Sequence, residues 1–416
     1  MFEFKIVRYF RAEGRYPQMK KMARLYMLML NVFIVMLGIG LIIPLMPTFI
    51  EEFGASGSTL GLLIAASGIT QLLFSPVAGE MTDKYGRRKM IILGIGAFAV
   101  SQLLFALASQ MWLLFVSRLL GGAGAAFLVP AMFAYIADIT SEKDRSKGMG
   151  LISAAMSLGF VIGPGAGGYL AAFGLTFPFY VSAGLAGLAT VLSLLVLPET
   201  LSQEKMLEKR RSVQKREPLA KQMARALRSP YAFLFILVFI LNFGIMNFEA
   251  VFSLYVDHKH GFTPGDIAFV ITAASLIGVF VQAVALGMLT NRFGEKKLMN
   301  MTLIGSAGAL AVCSIAGSYW LVFGATIVFF MLTSILRPAI NTLISKMAGD
   351  EQGFAAGMNN AFMSLANIVG PTVAGLLFDV NVEIPYIFGV VVLVLSFLAA
   401  VSWGRKQQAR TIPEKV

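Results

Sequence analysis

Twelve long apolar runs follow one another along this chain and leave room for little else. A helix needs roughly 20 apolar residues to cross the ~30 Å hydrocarbon core of a bilayer. Of the 416 residues, 57% are hydrophobic and 13% are charged, whereas a soluble domain carries about 25% charged residues. Such a composition cannot build a water-facing shell, so soluble enzymes are excluded and the sequence predicts an all-α polytopic membrane protein. The runs, spans 1 to 12, lie at approximately 25–50, 59–82, 89–109, 111–138, 147–172, 177–198, 231–256, 265–290, 298–317, 319–346, 352–379 and 384–403.

The polar segments between the runs divide the spans into two equal sets. Residues 199–230 are the one long polar interior segment, with six runs before it and six after it. We therefore predict five parts of the chain. They are a cytoplasmic N-terminal segment at 1–24, a six-helix bundle at 25–198, a cytoplasmic linker at 199–230, a second six-helix bundle at 231–403 and a cytoplasmic tail at 404–416.

The distribution of basic residues predicts the orientation of the spans. Of the 34 Lys and Arg residues, 31 fall in the loops and tails of one side, two lie inside spans, and Lys259 is the exception on the other side. Because Lys and Arg accumulate on the cytoplasmic side, both termini are predicted to be cytoplasmic and the chain to lie in the cell membrane. The net charge of +12 is then explained by the basic residues of the cytoplasmic loops, and no nucleic-acid partner is expected. The outer loops carry the acidic residues Glu51, Glu52, Asp257, Asp266, Asp379 and Glu383.

Cysteine and histidine usage gives no sign of a metal or cofactor site. Cys313 is the single cysteine and lies in an apolar run, so no intrachain disulfide is available. His258 and His260 lie in an outer loop, and no His, Cys or carboxylate cluster with metal or nucleophile spacing occurs in the spans. We therefore expect no catalytic residues, no metal and no cofactor. The mixed apolar and basic segment before span 1 suits either a segment lying on anionic lipid or a disordered tail.

The second half of the sequence repeats the first. Residues 79–89 read GEMTDKYGRRK and residues 287–297 read GMLTNRFGEKK, a displacement of 208 positions. Pro130 recurs as Pro338 at the same displacement. The segment MSLGFVIGP of span 5 recurs as MSLANIVGP in span 11, at a displacement of 207. Since six spans separate equivalent segments, the two copies are predicted to be parallel repeats.

These motifs resemble those of the major facilitator superfamily over residues 25–403. The resemblance rests on the repeat, on the loop at 79–89, on the segment RLLGGAGA that starts at Arg118, and on a pattern in span 5. The segments FEAVFSLY from Phe248 and RPAI from Arg337 resemble the NorA/Bmr type of Gram-positive multidrug efflux pump. The resemblance implies two six-helix bundles related by a pseudo-two-fold repeat, with a cavity between them. The span 5 pattern, associated with drug/proton antiporters, comprises Gly159, Gly163, Pro164, Gly167 and Gly168.

The span 5 pattern admits two interpretations. Glycines that recur every fourth residue share one face of a helix, and small residues let helix backbones approach closely in lipid. This face is either a simple packing surface or, as the resemblance implies, a seam that seals the cavity against proton leak.

The loop at 79–89 also has two interpretations. Its basic residues satisfy the orientation rule at a tight turn. The resemblance implies in addition a gating latch formed by Gly79, Asp83, Gly86 and Arg87. In that latch, Asp83 lies near the electropositive start of span 11 when the inner side is closed. The second copy has Asn291 in place of Asp83, so we expect it to be weaker or purely structural.

Three charged residues fall inside the apolar runs, where charges are costly and usually mark a pathway. Glu249 is the intramembrane carboxylate, and we predict that it carries a proton or exchanges it for a cationic substrate. The alternative is a carboxylate locked structurally to an arginine. Arg118 matches the family's span 4 arginine, which assists proton movement or holds a hydrogen-bond network, but it can equally satisfy backbone carbonyls. Arg337 and Pro338 are predicted to be structural.

Matching to the family also gives candidate substrate-binding residues and one departure. Close family members carry a second acid three positions before the Arg-Pro pair, and this chain has Ser334 there, which argues against a strong preference for dications. The substrate-binding candidates are Phe33, Met36, Gln71, Phe160, Phe248, Phe252, Asn359 and Asn360.

The predicted function is proton-coupled antiport by alternating access, exporting amphipathic cationic or zwitterionic drugs from a bacterial cell. The alternative is a dedicated proton-coupled exporter of a single metabolite or lipid precursor, because the motifs describe coupling better than cargo. A channel is disfavoured because no filter-like sequence is present. The expected partners are a small-molecule substrate, protons and the lipid bilayer, and the chain is expected to act as a monomer.

Overall fold

The computed structural model describes residues 16–211, 218–348 and 351–411, and these residues form helices and short connections without a strand. Twelve of the described helices are long and apolar enough to cross a membrane. The prediction of an all-α protein with twelve spans is therefore confirmed. Parts of the predicted N-terminal segment, linker and tail, at 1–15, 212–217 and 412–416, lie outside the described residues.

The helices follow the predicted runs and extend several of them. Spans 1 to 6 are Tyr16–Gly40, Gly57–Tyr85, Arg87–Ala106, Met111–Ile139, Glu142–Leu170 and Phe177–Val196. Spans 7 to 12 are Ala232–His260, Pro264–Phe293, Glu295–Ile315, Tyr319–Ala348, Gln352–Val380 and Ile384–Thr411. A short helix, Met46–Glu52, continues span 1 on the predicted outer side, and the linker contains the helices Gln203–Arg211 and Leu219–Ala226.

Prolines inside the helices reproduce the sequence repeat. Pro130 and Pro338 lie within spans 4 and 10, and Pro164 and Pro371 lie within spans 5 and 11. A proline inside a helix removes one backbone hydrogen bond, and membrane helices tolerate this where neighbouring groups satisfy the freed carbonyl. The matching positions support the duplication inferred from the sequence.

The described helices form two compact units. The first contains the described parts of residues 1–40, 73–163 and 176–214, and the second contains those of 41–72, 164–175 and 215–416. The segment that follows span 1, the first part of span 2 and the end of span 5 thus group with the helices of the second half. The predicted division into bundles at 25–198 and 231–403 stays a prediction.

Each unit has its own helix contacts. In the first, spans 3 and 4 touch at Gly94 and Gly124, where a Cβ on Gly94 would lie 2.7 Å from the Gly124 carbonyl oxygen. Asn31 of span 1 donates to Ser193 of span 6 at 2.8 Å, and Tyr135 is fully buried in a cluster of apolar side chains. In the second unit, span 7 is buried along most of its length and packs on spans 11 and 12. Small residues and buried polar pairs are typical of helix packing in lipid.

Lys259, the exception to the basic-residue rule, is neutralised at the end of span 7. Its ammonium group donates to Glu383 at 2.6 Å, to the Ser314 carbonyl at 2.7 Å and to the Tyr255 hydroxyl at 3.0 Å. These bonds tie the end of span 7 to the start of span 12 and to the end of span 9. The lysine therefore adds no free positive charge at this end of span 7.

The linker helix Leu219–Ala226 is attached to the start of span 11. Glu351 accepts hydrogen bonds from Tyr231 at 2.7 Å and from Arg225 at 3.1 Å. The hydrogen bond from Tyr231, together with Arg225, holds the pKa of Glu351 below its usual value. Burial, together with this bond, raises the pKa of Tyr231 to about 12. The linker helix therefore belongs to the second unit.

Candidate transport and coupling site

Glu249 lies on the one open face of an otherwise buried stretch of span 7. Between residues 241 and 256, Met246 and Glu249 are partly exposed and the other side chains are buried. Residues three apart share a helix face, so both point to the same side. Within the described ranges, no hydrogen bond and no ion pair within 4.0 Å engages the Glu249 carboxylate. The carboxylate is therefore free to bind a proton or a cation.

Arg337 of span 10 is the charged side chain that interacts electrostatically with Glu249. It does not form a direct salt bridge with Glu249 in this arrangement. Its Nε is buried and finds no hydrogen-bond partner in the described part of the chain, which is costly for a buried donor. The pair is thus close enough to interact but is not locked together, and the predicted proton role of Glu249 stays a prediction.

Phe248 and Phe252 form the centre of an aromatic cluster next to Glu249. The Phe248 ring lies 5.0 Å from Phe252, 4.6 Å from Phe329 and 5.7 Å from Tyr386, measured between ring centroids. Phe248 and Phe252 are 3% and 1% exposed. Both predicted substrate-binding residues therefore lie in packed protein, and cargo would reach their rings only after side-chain movement.

The other predicted substrate-binding residues are more accessible. Phe33, Met36 and Phe160 are partly exposed in the first unit, and Gln71 and Asn359 are partly exposed in the second. Asn360 of span 11 is exposed. The Asn359 amide donates weakly to the Met363 sulfur at 3.6 Å, while its carbonyl oxygen is buried and lacks a partner among the described residues.

Arg118 is held by an aromatic ring in the first unit. Its guanidinium carbon lies 4.5 Å from the centroid of Phe105 on span 3, a cation–π geometry. In the described residues it forms no ion pair with a carboxylate and no hydrogen bond with a backbone carbonyl. The side chain is partly exposed, so the guanidinium retains donors for a further partner.

The span 5 glycines lie directly on the backbone of span 1. A Cβ on Gly159 would overlap the Phe33 carbonyl, and a Cβ on Gly163 would lie 2.7 Å from both the Gly40 Cα and the Leu37 carbonyl oxygen. Gly167 makes the same kind of contact with Leu41, and Gly168 faces Ala268 of span 8. These four glycines therefore have two partners. Gly159, Gly163 and Gly167 lie on span 1 and the residue that follows it, and Gly168 lies on span 8.

We expect Gly163→Ala to destabilise the first unit by about 1–3 kcal/mol because the added methyl group meets backbone that cannot rotate away. Gly187→Ala on span 6 is the matched control, since nothing lies within 4 Å of its Cβ position. The apparent thermal midpoints of the purified proteins test this. Equal midpoints for the two variants would contradict the close seam.

The predicted latch residues form a charge network in the first unit. Arg87 pairs with Asp83 at 3.0 Å and with Asp138 of span 4 at 3.1 Å. Gly86 has a φ of 100°, a conformation that favours glycine, and a Cβ there would overlap the Glu199 carboxylate. Gly79 has open space around its Cβ position. Asp83, expected to approach the start of span 11 when the inner side closes, is paired with Arg87 here.

The sequence analysis missed two members of this network. Glu199, just after span 6, accepts from the backbone N–H groups of Arg87 at 2.9 Å and Arg88 at 3.2 Å and so caps the start of span 3. Asp138 accepts from the Thr200 hydroxyl at 2.7 Å. Both are acidic residues on a predominantly basic side of the membrane, and that exception is the signal that could have identified them.

The second unit contains the ion pair equivalent to Arg87–Asp138, with the acidic and the basic residue exchanged. Glu295 and Lys346 lie 2.5 Å apart, and they are displaced by 208 positions from Arg87 and Asp138. The second repeat thus retains an ion pair between the start of span 9 and the end of span 10, although Asn291 stands at the position of Asp83.

Comparisons with known proteins agree with these features. A profile described as Major Facilitator Superfamily matches residues 28–260 and 234–415. Multidrug resistance protein 2 of Bacillus subtilis (strain 168) is 44% identical, covering 91% of this chain and 95% of that protein. Multidrug resistance protein 1 of the same strain is 41% identical, covering 92% and 97%. Quinolone resistance protein NorA of Staphylococcus aureus (strain MRSA252) is 35% identical, covering 87% and 92%.

Solved structures show the same fold. A crystal structure of a bacterial homolog of the human lysosomal transporter Spinster matches with a TM-score of 0.78 at 16% identity, covering 92% of this chain and 96% of that chain. The resemblance predicted from the loop at 79–89, the Arg118 segment, the span 5 pattern and the repeat is confirmed. The chain belongs to the Major Facilitator Superfamily.

Proposed function

We propose that this protein is a proton-coupled multidrug exporter of a bacterial plasma membrane. The proposal is supported by its similarity to two multidrug resistance proteins of Bacillus subtilis and to quinolone resistance protein NorA. The observation that carries proton coupling is Glu249, a carboxylate far from both ends of its span, partly exposed and without a direct partner among the described residues. Such a group can exchange a proton for a cation.

Competition for one carboxylate supplies the coupling. When Glu249 is ionised, it attracts a cationic cargo. The ring faces of Phe248 and Phe252 add to this attraction once side-chain movement exposes them. When Glu249 binds a proton, its attraction is lost and the cargo is released. Arg337 interacts electrostatically with Glu249 but forms no direct salt bridge with it, so the carboxylate remains available to either ligand.

The charge balance predicts which cargo benefits from the membrane potential. Ser334 stands where a second acid would otherwise lie, and its hydroxyl donates to the Met331 carbonyl at 2.8 Å. With one proton moving in per monovalent cation moving out, no net charge crosses the membrane. A zwitterionic or neutral cargo would instead gain about 2.3 kcal/mol per 100 mV. We propose cationic and zwitterionic amphipathic drugs as the cargo, of which the zwitterionic ones gain from the membrane potential. The exporter is proposed to be a monomer that works by alternating access with both termini in the cytoplasm.

Inverted membrane vesicles with an imposed pH gradient test the function. We expect saturable accumulation of several chemically unrelated cationic dyes and quinolones, driven by acidification of the lumen and abolished when a protonophore collapses the gradient. Control vesicles lack the protein. Flux that is unaffected by the gradient would contradict proton coupling, and transport of one compound alone would favour a dedicated metabolite or lipid-precursor exporter.

A further inference from the structure

The outer start of span 2 is capped by a residue of span 11. The backbone N–H of Gly57 donates to Oδ1 of Asp379 at 2.7 Å, and that of Ser58 donates to Oδ2 at 3.0 Å. The first N–H groups of a helix have no partner inside the helix and carry the positive end of its dipole. A carboxylate that accepts from two of them therefore stabilises this end of span 2, although the two residues are 322 positions apart in sequence.

The two spans also touch through their backbones next to this cap. A Cβ on Gly61 would overlap the Pro371 carbonyl, and a Cβ on Gly375 would overlap the Gly57 carbonyl. No side chain fits between these surfaces. The cap and the glycine contacts together hold spans 2 and 11 in direct contact on the outer side, within the second unit.

The repeat contains a second, equivalent contact that lacks such a carboxylate link. Gly168 of span 5 lies on Gly265 and Ala268 of span 8. Gly265 corresponds to Gly57 at a displacement of 208, and Gly375 corresponds to Gly168 at a displacement of 207. The position equivalent to Asp379 is Ala172.

Span 8 has a cap of its own. Thr263 and Asp266 form a capping box, in which the Asp266 N–H donates to the Thr263 hydroxyl at 3.2 Å and the Thr263 N–H donates to Asp266 at 3.0 Å. Span 2 has a weaker local substitute, a 3.4 Å bond from the Thr59 N–H to the Ser56 hydroxyl. The start of span 2 is therefore capped mainly by Asp379, and the Ser56 hydroxyl is a second, weaker acceptor.

We propose that Asp379 is a latch that stabilises contact between spans 2 and 11 on the outer side, and that opening of the outer side breaks its two hydrogen bonds. The inference rests on the alternating access of the proposed function. If the Asp379 cap served only to stabilise the first turn of span 2, a residue next to that turn would be sufficient. The cap supplied within span 8 shows how this chain builds one locally.

Double electron–electron resonance, which measures the distance between two spin labels, tests the latch in the full-length protein in lipid nanodiscs. The labels are placed at Leu62→Cys of span 2 and Leu376→Cys of span 11, two exposed positions, with Cys313→Ser as background. We expect Asp379→Ala to raise the ratio of long to short distances about tenfold, as expected for loss of two charge-assisted hydrogen bonds. Asp266→Ala is the matched control, because it removes a carboxylate cap that belongs to the same helix, and it should leave the distances unchanged.

Gly61→Ala provides an independent test, because its methyl group would push against Pro371 and should shift the distances in the same direction. It also serves if Asp379→Ala does not purify as a monodisperse protein. Unchanged distances in Asp379→Ala would overturn the latch. If that variant does not purify, unchanged distances in Gly61→Ala would overturn it. A shift in Asp266→Ala as large as that in Asp379→Ala would also overturn it. The measurement needs no cargo, so a failed export assay would not affect its outcome.

Discussion

Glu249→Gln is expected to abolish proton-driven export and to lower the initial rate by about 100-fold or more, the range found when a group that must transfer a proton is removed. Glutamine preserves the shape of the side chain but cannot bind or release a proton and cannot neutralise a cationic cargo. The variant should fold normally, because no described residue bonds to the carboxylate it replaces. Export from inverted vesicles with an acidified lumen, compared at equal protein content, measures the effect.

Asp257→Asn is the matched control for this variant. Asp257 lies two helical turns further along span 7, at its outer end, and loses the same charge when changed to the amide. We expect it to retain most of the export rate. If Glu249→Gln exported at the wild-type rate under the same gradient, the coupling proposal would be wrong.

Reversing Arg87 to Glu is expected to reduce the folded yield strongly and to lower export at least about tenfold. The new carboxylate would face Asp83 and Asp138, each of which now accepts from Arg87 within about 3 Å, and like charges in a partly buried site repel by several kcal/mol. Fluorescence-detected size exclusion gives the yield, and the vesicle assay gives the rate.

The second repeat suggests the rescue for this variant. It carries Asn291, Glu295 and Lys346 at the positions of Asp83, Arg87 and Asp138, and Glu295 and Lys346 form an ion pair. The triple variant D83N/R87E/D138K should therefore recover the folded yield because it recreates that pair. It should remain impaired in export because it lacks the Asp83 carboxylate of the latch that the family resemblance predicts. Wild-type export by the triple variant would contradict the latch role of Asp83.

Sequence reasoning identified the spans and their duplication because both depend on local composition. Lipid leaves few ways to satisfy a backbone, so long apolar runs become helices, and the repeated prolines lie where the alignment of the two halves places them. Glu249 was identifiable for the same reason, since a charge in an apolar run stands out in the sequence. These features need no knowledge of which helices become neighbours.

The missed features depend on contacts between distant parts of the chain. Glu199 caps span 3 from 112 positions away, and no sequence pattern near Gly86 indicates that Glu199 is the capping residue. Phe248 and Phe252 were predicted to bind substrate by matching to the family, but their rings lie in the packed cluster with Phe329 and Tyr386. Aromatic composition alone does not distinguish a binding surface from a core.

The neutralised lysine of span 7 has a consequence for the medium just outside the membrane. With Lys259 bonded to Glu383, the acidic residues Glu51, Glu52 and Asp257 leave the outer end of the second unit with an excess of negative charge. Such a surface concentrates hydronium ions, so the local pH there is lower than in the bulk solution. Added salt screens the excess within a Debye length of about 8 Å at physiological ionic strength. In the proposed proton-coupled exporter, with this end of the second unit outside the cell, such a surface would enrich protons where they enter, most effectively at low ionic strength.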